Sequence, residues 1–321
     1  MKIGFVFPGQ GSQKIGMLAE LALAFAQVRQ TFAEASDVLG YDLWDLCQNG
    51  PEQRLNATEQ TQPAMLTAGV AVWRVWCDNG GPAPAIAAGH SLGEYSALVA
   101  AGSLAFADAV RLVRSRGRLM QAAVPEGQGA IAAILGLDDT NTESVCAGIM
   151  SDMPDRHVAP VNYNAPGQVV VAGHADAVHA ALEAARAAGA VKCVPLPMSV
   201  PVHCELMRPA VDGLARELDA TRIDAPVFPV VHNADLRTHQ DAASIASVLK
   251  AQLYTPVRWV DTVRAMRDGE ADLLIECGPG RVLSALIKRI DRKLPCLPVF
   301  DESTLSKALE ATSESLQAVV E

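Results

Sequence analysis

The chain has 321 residues, of which half are hydrophobic, 19% charged and only 5% aromatic, and its formal net charge is −10. That length suits one large domain, or a large domain carrying a smaller one, and the acidic balance argues against a nucleic-acid binder. Seven Cys with no C-x-x-C pair give no metal-ligand spacing and no disulfide framework.

At the N-terminus, "KIGFVF" (2–7) is a short apolar run stopped by Pro8-Gly9. It predicts a buried strand rather than a signal peptide. No apolar run reaches transmembrane length, so a cytoplasmic protein without membrane attachment is expected. "MLAELALAFAQVRQTFAEASDVLG" has helical period up to Gly40, and "QPAMLTAGVAVWRVWCDNGG" predicts a second helix with Pro63 near its start. "PAIAAG" predicts a strand and "EYSALVAAG" a helix, with a sharp turn between them. Residues 106–124 predict a long helix with a possible pause at Gly117.

The pattern then changes. "GAIAAILGL" predicts a strand, "TESVCAGIM" a helix, "HVAPVNYN" and "QVVVAG" a hairpin around Pro166-Gly167, "ADAVHAALEAARAAGA" a helix and "VKCVPLP" a strand. Strand–helix–strand–strand–helix–strand is a ferredoxin-like order. It predicts a small inserted domain over 127–199, splitting a larger domain into 1–126 and 200–321. The second part predicts helix 204–220, strand "FPVVHN", helices 241–253 and 257–268, strand "DLLIEC", a "GPG" turn, helix 282–290, a last strand in "PCLPVF" and a polar helix over 302–320.

The turn after "PAIAAG" holds Gly89-His90-Ser91-Leu92-Gly93, a G-x-S-x-G pattern. Between a strand and a helix, that pattern predicts a strained elbow that exposes the serine hydroxyl. The alternative is a glycine-rich turn in which serine caps the helix. A serine nucleophile carries an acyl group, and the motif does not say whether water, a thiol or an alcohol receives it. It needs a base, and there are seven His. His90 adjoins Ser91 and should point away. His157, His174 and His179 sit at element starts expected on the surface, and His232 and His239 lie in a polar loop. His203, in "MSVPVHCELM", lies where the small domain returns to the large one, and domain junctions form clefts. No carboxylate is placed as a third triad member. "FPGQGSQ" (7–13) follows the first strand and fits no nucleotide-binding loop, but its backbone N–H groups could face an anion. Arg116 lies among Arg111, Arg114 and Arg118, and position alone prefers none of them.

Together, "FPGQGSQ", "TQPAMLTA", "GHSLGEYSALVAAG", "RSRGRLMQ", "VNYNAPGQVVVAG", "SVPVHCELM", "QLYTPVRW" and "ECGPGRVLSALIKRI" resemble, in order, segments of the malonyl-CoA:acyl-carrier-protein transacylase family, over residues 1 to about 292. The resemblance implies an α/β-hydrolase-like large domain with a short parallel sheet. It implies that Ser91 is acylated, that His203 is its base, and that the main-chain carbonyl of Gln252 orients His203 in place of a carboxylate. The N–H groups of Leu92 and Gln10 would form the oxyanion hole, Arg116 would grip the acyl carboxylate, and Gln62 would lie near the pocket. Val202, just before the histidine, departs from the Ser or Phe often found there. It leaves open whether a bulkier acyl group is admitted. The substrates would be malonyl-CoA and the phosphopantetheine thiol of an acyl carrier protein, with no cofactor or metal, and the chain would act as a monomer. A polyketide acyltransferase or an acyl hydrolase are the alternatives. Because both substrates are anionic, the basic cluster "IKRIDRK" (287–293) suggests Lys288 and Arg289 as part of a carrier-protein dock.

Overall fold

A computed structural model describes residues 1–198, 200–269 and 271–317. The elements in chain order are β1 (Ile3–Phe7), α1 (Ala19–Ala24), α2 (Ala26–Leu39), α3 (Leu43–Asn49), α4 (Glu52–Leu55), α5 (Thr58–Asp78), β2 (Ile86–Gly89), α6 (Gly93–Ala100) and α7 (Phe106–Ala123). Then follow β3 (Gly129–Leu135), α8 (Asp139–Asp152), β4 (Val158–Ala165), β5 (Gln168–His174), α9 (Ala175–Ala187) and β6 (Lys192–Pro195). A 3₁₀ turn (Glu205–Ala210) leads into α10 (Val211–Asp219), β7 (Val230–Val231), α11 (Ala242–Gln252), α12 (Trp259–Asp268), β8 (Leu273–Cys277), α13 (Val282–Ile290), β9 (Cys296–Val299) and α14 (Glu302–Gln317).

Five strands, in the order β7-β2-β1-β8-β9, form an all-parallel sheet. Such a sheet is covered on both faces, so its strands are apolar throughout, and every residue of β1, β2 and β8 is buried. Alternate residues feed two cores. Phe5 and Phe7 join the one built with α2, α5 and α7, while Val6 and Leu274 join the one built with α12 and α13. Parallel pairing brings the carboxyl ends of β1, β2 and β8 to one edge, where ligands of such sheets bind. Phe7 is in register with Gly89, so the loop after β1 and the turn after β2 are neighbours.

The second sheet, β4-β5-β3-β6, is antiparallel and draws only on residues between Val158 and His174 and on β3 and β6. Within the unit its order is 4-1-3-2, with α8 and α9 packed on one face over a separate core. This is the expected ferredoxin-like arrangement. It is stitched to the large unit where Tyr163 N–H donates to Val257 O at 2.9 Å and Val257 N–H donates to Val161 O at 2.8 Å.

Several expected elements differ. The single helix expected up to Gly40 breaks at Phe25, whose extended backbone (φ −130°, ψ 110°) turns its ring onto the core. The helices α3 and α4 fill a stretch for which no element was expected. No pause occurs at Gly117; the glycine lets α7 pass the start of α5, since a Cβ there would lie 2.8 Å from Thr58 O. The helix expected over 204–220 begins as a 3₁₀ turn containing Pro209, which has no N–H to give an α-helix. The strand in "FPVVHN" shortens to two residues after Pro229. The expected domain boundary at Ser199, and the end of the tail helix beyond Gln317, lie outside the described residues.

Candidate active site

Gly89 and Gly93 make the elbow possible. A Cβ on Gly89 would fall 1.8 Å from the Gly93 carbonyl carbon, and one on Gly93 would fall 1.9 Å from Phe7 O. Only glycine permits so close an approach of strand, turn and helix. Ser91 between them has φ 51°, a left-handed conformation that costs a non-glycine residue energy. Its N–H donates to Asn233 Oδ1 at 2.7 Å, and Asn233 Nδ2 donates to Gly89 O at 2.8 Å. The side chain of Asn233 therefore clamps both ends of the strained segment.

Ser91 Oγ lies 2.7 Å from His203 Nε2. His203 Nδ1 lies 2.7 Å from the main-chain oxygen of Gln252. A carbonyl only accepts, so Nδ1 carries the proton and Nε2 presents a lone pair to the hydroxyl. The orienting group is a neutral carbonyl, and among the described residues no carboxylate touches the imidazole. His203 is 2% exposed, and burial, with Arg116 and His90 adding to it, pushes its pKa down to about 3 against a smaller opposing effect of the Gln252 carbonyl. It is a neutral base at physiological pH.

Arg116 is 1% exposed. Its Nη1 donates to Gln62 Oε1 at 2.9 Å, and its Nη2 donates to Gln252 Oε1 at 2.9 Å and to Ser91 Oγ at 3.4 Å. Its guanidinium carbon sits 5.5 Å from the Tyr95 ring centre. Among the described residues it has no carboxylate partner. Burial pulls its pKa down, and Tyr95 and Glu94 oppose that. Arg118, by contrast, is a half-exposed partner of Glu59, Arg111 pairs with Asp108, and Arg114 donates to Leu39 O. Geometry thus separates Arg116 from its three neighbours, which the sequence could not do.

A cavity of about 310 Å³ opens onto Ser91, His203 and Arg116, and Gln10, Leu92, Met120, Ile131 and Val202 also line it. The N–H groups of Leu92 and Gln10 have no protein acceptor among the described residues. Leu92 caps the amino end of α6, where the helix dipole favours negative charge. Gln62 does not face the cavity; it grips Arg116 and donates to Met120 Sδ at 3.5 Å. Lys288 and Arg289 do not line the cavity. Arg289 is bound to Gln168 Oε1 and to Pro166 O in the β4–β5 turn.

Glu94, Asn233 and the buried place of His232 escaped the sequence reading. Glu94 is fully buried on the first turn of α6, and it accepts from His232 Nδ1, from Asn233 N–H and from Gln252 Nε2. His232 is thus not a loop histidine but a buried one at 0% exposure, directly after β7. One signal was present: Glu94 is the sole charged residue of "GEYSALVAAG". His90 lines the same cavity, donates from Nε2 to Asn164 Oδ1 at 2.8 Å and lies with its ring tilted 55° to that of Trp259, 5.4 Å between centres.

A family model described as "Acyl transferase domain" matches residues 4–299. The malonyl CoA-acyl carrier protein transacylase of Salmonella typhimurium is 54% identical over 96% of this chain and 99% of its own length. A malonyl-transacylase solved with the acyl-carrier protein of a type II PKS superposes with TM-score 0.94 at 54% identity, covering 97% of this chain and all of that one. The Coxiella burnetii malonyl CoA-acyl carrier protein transacylase superposes with TM-score 0.94 at 47% identity, covering 97% of each chain. Through its sheets, its elbow and these likenesses, the chain belongs to the malonyl CoA-acyl carrier protein transacylases of the acyl transferase family.

Proposed function

We propose that this chain moves a malonyl group from malonyl-CoA to the phosphopantetheine thiol of an acyl carrier protein, supplying fatty-acid synthesis, through an ester on Ser91. The observation that carries this reading is a buried guanidinium, 3.4 Å from the nucleophile, with no carboxylate partner among the described residues. A planar guanidinium suits a carboxylate through two parallel hydrogen bonds, so the acyl group it favours bears its own carboxylate.

Ser91 Oγ attacks the thioester carbonyl while His203 Nε2 takes its proton. The oxyanion accepts from the N–H groups of Leu92 and Gln10, which lie idle beforehand and cost no reorganisation. The tetrahedral intermediate collapses, the C–S bond breaks, and His203 returns its proton to the departing thiolate. The pantetheine thiol then enters, gives its proton to His203 and repeats the sequence in reverse, and Ser91 recovers its proton as the ester breaks. The route uses two thioesters and no metal or redox cofactor. A hydrolase of uncharged acyl groups would gain nothing from Arg116.

We assign the two structural units to 1–126 with 200–321 and to 127–199, and the protein to the cytoplasm, which its seven unpaired cysteines suit. Lys288 and Arg289 are proposed as part of the carrier dock. A polyketide carrier is a second reading, since one relative was solved with such a protein; competing the two carrier types for one acyl-enzyme separates them. The test of the main reading is intact mass after incubation with malonyl-CoA and no acceptor. One malonyl is expected on Ser91 and none in Ser91→Ala. An unmodified wild type beside a fully active Ser91→Ala would overturn it.

A further inference from the structure

Glu94 is a buried carboxylate that the acyl-transfer steps leave unused. Its surroundings are all donors: His232 Nδ1 at 2.8 Å on one oxygen, and Asn233 N–H at 3.0 Å and Gln252 Nε2 at 2.7 Å on the other. Three converging donors fit an acceptor-only carboxylate. The Gln252 amide then spans to Arg116, with Oε1 accepting from Nη2 at 2.9 Å. A guanidinium only donates and a carboxylate only accepts, so the amide has one permitted orientation. The result is a buried chain of carboxylate, amide and guanidinium, with 0% exposure at Glu94 and Gln252 and 1% at Arg116. No carboxylate touches Arg116 directly among the described residues, and its Nε–H has no partner there.

A buried charge without compensation is costly. We propose that Glu94 is the resident counter-charge of Arg116, a positioning residue that acts through the Gln252 amide. It keeps the guanidinium stable and aimed while the acyl pocket is empty. It also tempers the hold of Arg116 on the acyl carboxylate, so that the group can be passed on rather than trapped. The inference rests on Arg116 being the partner of that carboxylate.

Glu94→Gln isolates the charge. Its amide oxygen can still accept from Asn233 N–H and Gln252 Nε2, and its NH₂ can donate to His232 once that ring shifts its proton to Nε2, an atom now without a partner. In a Ser91→Ala background, where no transfer occurs, Glu94→Gln is expected to bind malonyl-CoA roughly threefold to tenfold more tightly, because one opposing buried charge has gone. Acetyl-CoA affinity should not change. Malonyl-CoA should also raise the thermal midpoint more than in the parent. A support role for the fold alone would weaken both ligands together, and either that result or an unchanged malonyl-CoA affinity overturns the inference. Arg116→Ala is the control: it should weaken malonyl-CoA alone. If it does not, the reading of Arg116 itself has failed; if it does while Glu94→Gln tightens nothing, only the counter-charge has failed. Should Glu94→Gln not fold, Glu94→Gln with Arg116→Met decides. Recovery of folded protein supports the pairing of charges, and a second failure to fold overturns it.

Discussion

On the cavity side of the Ser91 turn, polar groups have capacity to spare. The N–H groups of Leu92 and Gln10 have no acceptor among the described residues, Arg116 has no carboxylate, and His203 offers a bare Nε2 to the hydroxyl. On the core side, the groups nearest the turn are bonded several times over. Asn233 spends its amide oxygen on Ser91, its amide nitrogen on Gly89 and its backbone N–H on Glu94, while Gln252 serves His203, Ser91, Glu94 and Arg116 at once. A densely bonded network holds a strained turn, with φ 51° at Ser91, against relaxation. An unsaturated face is what a passing oxyanion or carboxylate can exploit. The difference predicts that damage to the upper face lowers rates, whereas damage to the lower face lowers stability.

The largest effect should come from the upper face. His203→Ala removes the base while leaving the Arg116 contacts to Gln62 and Gln252 intact. Acylation of Ser91 should slow by about 10²- to 10⁴-fold, with a smaller loss of stability than the lower face gives, because one buried acceptor, Gln252 O, loses its partner. Rapid-quench mass spectrometry reads this directly, and a loss under about tenfold would place the base elsewhere. Next comes the lower face. Asn233→Ala leaves Ser91 N–H and Gly89 O buried without their partner, at about 1–3 kcal/mol each. Urea unfolding should report a loss of about 2–6 kcal/mol. A change under about 0.5 kcal/mol, the size of a bland surface substitution, would show that the turn holds itself.

The two faces were also unequally legible in the sequence. Ser91 announced itself through flanking glycines, and His203 through its place at the return to the large unit. Arg116 needed the family resemblance, because four arginines share its helix and only the fold buries one of them. The lower face was nearly invisible. Gln252 lies 161 residues from Ser91, and Glu94 and His232 are 138 apart, so no local pattern links them. His232 read as a loop residue because β7 supplies only two strand residues before it. The strands themselves followed from apolar runs, and the small unit from the succession of its elements, but the strand order of the large sheet did not, and the break at Phe25 has no glycine or proline to mark it.

The sharpest form of the comparison is a predicted absence. His203 faces Arg116, His90 and the Ser91 hydroxyl, and its pKa is held down at about 3, first by burial and then by Arg116. Its activity as a base should therefore persist as pH falls through about 6.5, where an exposed histidine would titrate. The rate of malonyl-Ser91 formation, measured from pH 8 to pH 5, should show no step centred near that value. Stability carries the opposite signature. Below about 6.5 the unfolded chain binds a proton at this histidine and the folded chain does not, so the unfolded state is favoured increasingly as pH falls toward about 3. His90, whose pKa is also lowered by burial, adds in the same direction. The native state should thus lose stability over a range in which its chemistry does not change, and His203→Ala should flatten part of that loss. A rate that halves near pH 6.5 would mean that His203 is solvated in the working enzyme, and the cavity side would then lack the dry, preset character that sets it apart from the network beneath.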